Sequence, residues 1–149
     1  MTLLPTLVVC EDGDEYTTRF ARLLGQEIAL VRAGTHTEAA RLLCDGALGI
    51  LLDLDFRRTN PADLVDETGV THDALADSER RRLAEMQGIL ILRALRVAGL
   101  MAPAILFADL DEPGRADYLA RTLAPLTILP SSASLPSIAQ HIRALTAPR

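Results

Sequence analysis

Leu48-Gly49-Ile50-Leu51-Leu52-Asp53-Leu54-Asp55 is the stretch that decides the fold. An unbroken apolar run without polar alternation, closed by carboxylates, suits a strand covered on both faces, which places it centrally in a parallel sheet. Working outward, short apolar runs at residues 7–10, 28–32, 104–108 and 126–129 read as four further strands. Amphipathic stretches separate them. Residues 16–24 read as a helix closed by Gly25. Thr35-His36-Thr37-Glu38 has capping-box spacing and opens a helix through Cys44, with Gly46 as its stop. One long helix is expected over 78–98, stopped by Gly99, and a shorter one over 114–123, announced by the acidic residues and proline of 111–113. Residues 135–145 form the last helix.

Strict alternation of five strands with helices predicts an α/β fold: a flavodoxin-like (βα)5 three-layer sandwich with parallel strand order 2-1-3-4-5. The 149 residues form one domain in this reading, without repeats or low-complexity tracts. One connection breaks the pattern. Loops in such folds usually run about two to six residues, yet about 56–87 separates the third strand from the apolar part of the third helix. Its first half, with Asn60-Pro61 and Gly69, reads as an ordered or mobile surface loop. Its second half, Ser78-Glu79-Arg80-Arg81-Arg82-Leu83, is helix material that extends the third helix backwards.

Composition excludes several chemistries. All fifteen basic residues are arginine, so a Walker A loop and a Schiff-base lysine are excluded. Five aromatic residues, no tryptophan and a net charge of −5 with scattered arginines argue against a nucleic-acid surface. No run is long enough for a membrane span and no secretory signal opens the chain. Cys10 and Cys44 lie in apolar stretches and read as buried thiols of a reducing cytoplasm. His36, His72 and His141 lack metal-ligand spacing. Arg80-Arg81-Arg82 sits among acids and reads as a solvated face.

In an open parallel sheet the ligand site lies beyond the carboxyl ends of the strands at the switch point, here between strands one and three. Strand one ends in Cys10-Glu11-Asp12 and strand three in Asp53-Leu54-Asp55. With strands about 4.8 Å apart, Glu11, Asp12 and Asp53 are expected to converge. Carboxylates so placed repel, and at least one resists ionisation unless a cation joins them. Mg2+ is the natural candidate for an oxygen-only site. The competing reading is that these acids simply end strands in solvated loops.

At this point the pattern resembles the receiver domain of bacterial response regulators. Leu7-Val8-Val9-Cys10-Glu11-Asp12 resembles the first strand with its acidic pair, Leu51-Leu52-Asp53 the third strand with its phosphate-accepting aspartate, and Met86-Gln87-Gly88 with Leu92-Arg93-Ala94-Leu95-Arg96 the third helix. The resemblance implies Asp53 as phosphoacceptor, metal ligation by Glu11, Asp12 and Asp53, and a further ligand in the backbone carbonyl of Asp55. It also implies a lysine before the proline at the end of strand five, a hydroxyl at the end of strand four and an aromatic on strand five. Those positions read Leu129, Ala108 and Leu126. A phosphate that neither strand can grip has little differential affinity for two conformations and shifts no equilibrium. The expectation is therefore an atypical, pseudo-receiver signalling protein, not an enzyme, acting through protein contacts.

Two alternatives stay open. One is a working phosphoacceptor using Asp53 and Mg2+ with a histidine kinase as partner; Arg57-Arg58 is then the nearest substitute for the lysine, although solvated loop charges are the plainer reading. The other is a haloacid-dehalogenase-like phosphatase using Asp53 and Asp55, with Asp109 and Asp111 as its later acidic pair. The last helix leaves no room for an output domain, so a signal is expected to leave through a partner or a second copy. The expected surface is the fourth helix, fifth strand and fifth helix: Tyr118, Leu119, Thr122, Leu126, Ile138 and Ile142, part of which must be core.

Overall fold

The computed structural model describes residues 3–147. Its order is β1 (Thr6–Cys10), α1 (Glu15–Leu24), β2 (Ala29–Ala33), α2 (His36–Cys44), β3 (Gly49–Asp53), a 3-10 turn (Pro61–Asp63), α3 (Asp77–Glu85), α4 (Gln87–Val97), β4 (Ala104–Phe107), α5 (Arg115–Thr122), β5 (Leu126–Leu129) and α6 (Leu135–Thr146). The sheet is fully parallel in the order β2-β1-β3-β4-β5. This is the predicted sandwich, with strand and helix limits moved by a residue or two.

Ile50, Leu51 and Leu52 of β3 are fully buried, as a central strand requires. Alternate residues feed two cores. Leu7, Val9, Leu51 and Ile105 pack with Phe20 and Leu24 of α1 and Ile138 and Ile142 of α6. Val8, Cys10, Ile50, Leu52 and Leu106 pack with α2, α3, α4 and α5. Burying each such aliphatic side chain contributes about 2 kcal/mol. The expected cap on α2 forms in part: Thr35 Oγ1 accepts from Glu38 N at 3.2 Å, while Glu38 Oε2 accepts from Gly34 N, one residue before the N-cap, at 3.3 Å.

The single long helix expected over 78–98 is two helices. The chain breaks at Met86 (φ −115°, ψ 12°). Two contacts account for the break. Gly88 N donates to Leu54 O at 3.0 Å, pinning the first turn of α4 against the end of β3. Gln87, also buried, uses its amide on Val65 N, Val65 O and Leu83 O. A continuous helix through Met86 would carry both residues away from these partners.

The connection after β3 is ordered. Phe56 is fully buried and its N–H donates to Ala84 O at 2.8 Å. Leu64 and Val65 are buried beneath it, and Val65 bridges Thr71 across a turn held by Asp66. Of the cysteines, Cys10 is buried as expected, but Cys44 is exposed: α2 ends there and only its Ala39 and Leu43 face inward. No described helix is long and apolar enough to cross a membrane.

Candidate functional site

The parallel register sets the site. Cys10 lies beside Leu52, so Glu11 comes level with Asp53; Asp53 lies beside Phe107, and Phe107 beside Leu129. The strand ends therefore bring together Glu11, Asp12, Asp53, Phe107, Ala108 and Leu129, at the predicted edge of the sheet.

The carboxylates do not converge on one point. Glu11 is only 1% exposed and turns to the start of α1. It accepts from Tyr16 N at 3.1 Å, Thr17 N at 2.8 Å and Thr17 Oγ1 at 2.7 Å. Asp14, the residue preceding α1, makes no side-chain capping bond, so Glu11 serves as the helix cap from a distance. Asp12 is held by Arg58, whose backbone N donates to Oδ2 at 2.9 Å and whose Nη2 donates to Oδ1 at 3.0 Å. Asp55 is paired with Arg57: Nε lies 2.7 Å from Oδ2, and Arg57 N donates to Oδ1 at 2.9 Å. Asp53 accepts from Leu54 N at 2.8 Å and is engaged by neither arginine. Among the described residues no three His, Cys, Asp or Glu side chains are grouped so as to hold a metal ion.

The expected resistance to ionisation falls on Asp53. Burial pushes its carboxyl up to about 6, the nearby charges of Asp12, Glu11 and Asp55 push the same way, and the bond from Leu54 N opposes them. A carboxyl raised above its ordinary value of 3.8 contributes stability that is complete below that value and lost as pH rises through about 6. Asp53→Asn, which keeps an acceptor for Leu54 N, should therefore stabilise the fold near pH 8 by about 1 kcal/mol after solvent screening. Near pH 4 the difference should disappear. Urea titrations of both proteins at the two pH values check this, and a variant less stable than wild type near pH 8 would contradict it.

Neither arginine bonds Asp53; both are exposed, as their loop position suggests, but Arg58 is paired with Asp12 and Glu15 and Arg57 with Asp55. Ala108 and Leu129 are each 7% exposed, and Ala108 N donates to Leu129 O at 3.0 Å. Beside them Tyr16 stacks on Phe107 with centroids 4.9 Å apart. This aromatic wall was not legible as part of the site; the aromatic at position 16 and the one at 107 are ninety-one residues apart by number. Asp109 accepts from Ser131 N at 3.0 Å and from Ser131 Oγ, tying the loop after β4 to the loop after β5.

No family model matches the chain, and no curated protein matches it. Solved structures do. The receiver domain of Francisella response regulator 1452 superposes with a TM-score of 0.66 at 15% identity, covering 95% of each chain. A response regulator receiver protein from Pseudoalteromonas atlantica gives 0.65 at 12% identity, over 95% of this chain and 97% of that one. The BeF3-activated N-terminal receiver domain of Klebsiella pneumoniae RstA gives 0.62 at 16% identity, over 95% and 99%. The fold is receiver-like along nearly its whole length.

Proposed function

We propose that this chain is a receiver-like signalling domain whose output passes through protein contacts and not through phosphorylation of Asp53. One observation carries the reading: at the level of Asp53, the neighbouring strand ends offer Phe107, Ala108 and Leu129, all buried and apolar. Moving a phosphoryl group requires its oxygens to be neutralised, and a conformational response requires a group that grips the phosphate in one state better than in the other. Those strand ends supply neither a hydroxyl nor a cation. The Asp109–Ser131 tie between the two following loops supports a switch region held in one arrangement.

The expected partner surface shrinks on inspection. Leu119, Ile138 and Ile142 are core residues. Tyr118, half exposed beneath Arg121 (5.9 Å from ring centroid to guanidinium carbon), remains outward with Thr122, while Leu126 is partly buried. This face of α5 and β5 is the contact area we assign to a signalling partner or a second copy. A phosphoacceptor role, with Mg2+ and a histidine kinase, is the second reading, favoured by the half-buried, raised carboxyl of Asp53.

Amide spectra of the labelled protein, before and after adding Mg2+ and acetyl phosphate, separate the two. Resonances of β4, α5 and β5 should stay in place. Movement of that set in wild type, absent in Asp53→Asn, would establish the phosphoacceptor role instead.

A further inference from the structure

Arg58 reaches across the sheet edge to residues 46 and 43 positions earlier in the chain. Nη1 donates to Glu15 Oε1 at 2.7 Å and Nη2 to Glu15 Oε2 at 3.0 Å, in addition to the two bonds on Asp12. All four carboxylate oxygens of the two acids are thereby engaged by one residue. The pairing is asymmetric: the Asp12 side chain is 5% exposed, the arginine 59%. The head of the arginine closes over an acid that is otherwise nearly sealed.

The surroundings are shaped for this contact. Gly13 lies beneath the guanidinium, where a Cβ would collide with Arg58 Nη2 and the Glu15 carboxylate. From the other side Arg32 holds the same loop by its carbonyls, donating to Glu11 O at 3.3 Å, Asp12 O at 3.1 Å and Gly13 O. The loop that bears Arg58 is fixed by buried Phe56 and by Thr59 N donating to Phe56 O at 3.1 Å. The connection after β3 thus delivers a cation to the acidic end of β1.

We propose that Arg58 is the resident cation of the acidic pocket, a latch that takes the place of the divalent ion expected at Asp12 and excludes it while closed. The observed contacts agree with this: of the two acids at the end of β1 expected to hold the ion, Glu11 is taken up by α1 and Asp12 by Arg58. The bonds to Arg58 also hold the Glu15 carboxyl well below its ordinary range. Because the guanidinium is largely solvent-facing, the latch is open to competition by a partner's acidic group. The proposal rests on the receiver-like reading above.

Mn2+ serves as probe, its free fraction read by electron paramagnetic resonance on wild type, Arg58→Met and Arg58→Lys, with amide spectra confirming that each is folded. Wild type and the lysine variant should leave Mn2+ free into the millimolar range. Arg58→Met should bind at least about tenfold more tightly, and adding Asp12→Asn to it should remove the gain. Wild type binding as tightly as Arg58→Met would overturn the latch. So would a folded Arg58→Met that gains nothing, which leaves phosphate-independent signalling intact. A phosphate adduct on wild-type Asp53 would overturn that reading whichever way the Mn2+ titration falls.

Discussion

Gly88→Ala should destabilise the protein by about 3 kcal/mol, near the upper end of what overpacking costs. An alanine Cβ at this position would overlap the Asp53 carbonyl oxygen, lie 3.0 Å from the carbonyl carbon and 3.1 Å from Leu54 Cα. All three are backbone atoms at the end of the central strand, so no side chain can rotate out of the way. Relief requires α4 to lift from β3, breaking the bond from Gly88 N to Leu54 O and drawing Gln87 off Val65. The loss should appear as a lower urea midpoint with unchanged slope. A midpoint within error of wild type would mean that the α4 start is not seated on β3 as described.

Glu11→Ala should cost about 2–3 kcal/mol, because it strips a buried carboxylate from three donors at the start of α1. Glu11→Gln keeps an acceptor oxygen and should cost about half as much. The direction distinguishes two roles for the same residue. A helix cap stabilises the chain without any added ion, whereas a carboxylate kept for a metal only adds repulsion beside Asp12 and Asp53, and its removal would stabilise the metal-free protein. Chemical denaturation in the presence of a chelator measures the sign directly. A neutral or stabilising Glu11→Ala would show that Glu11 is held for a ligand.

The fold was legible because its signals are local and repeated. The run ending at Asp53 pointed to a central strand, glycines and caps cut the helices, and alternation over a chain of this size made 2-1-3-4-5 the natural strand order. The break at Met86 was not legible: Leu83, Met86 and Gln87 all suit a helix interior, and the reason for the kink is tertiary, in Leu54 O and Val65. Cys44 failed for the opposite reason, since neighbours of apolar character do not say which side of α2 a residue takes.

At the site, sequence located the acids but not their allegiances. Placing Glu11, Asp12 and Asp53 at one edge follows from topology, and the register sets Cys10 beside Leu52 and Asp53 beside Phe107. Glu11, Asp53 and Asp55 take donors close by in the chain, whereas Asp12 is held by Arg58 across more than forty residues. The available hint was compositional: two arginines one residue beyond the strand-three acids, after Phe56, and a glycine after Asp12 beside the guanidinium. Arginine suits such a position, since its planar fork can serve two carboxylates at once.

Intact mass after incubation with Mg2+ and acetyl phosphate, with Asp53→Asn in parallel, tests the central claim most directly. If the pocket is latched by Arg58 and the strands beside Asp53 cannot hold a phosphoryl group, folded wild type should keep its unmodified mass, as the variant must. A single phosphate adduct on wild type, absent from Asp53→Asn, would contradict it and make Asp53 a working phosphoacceptor.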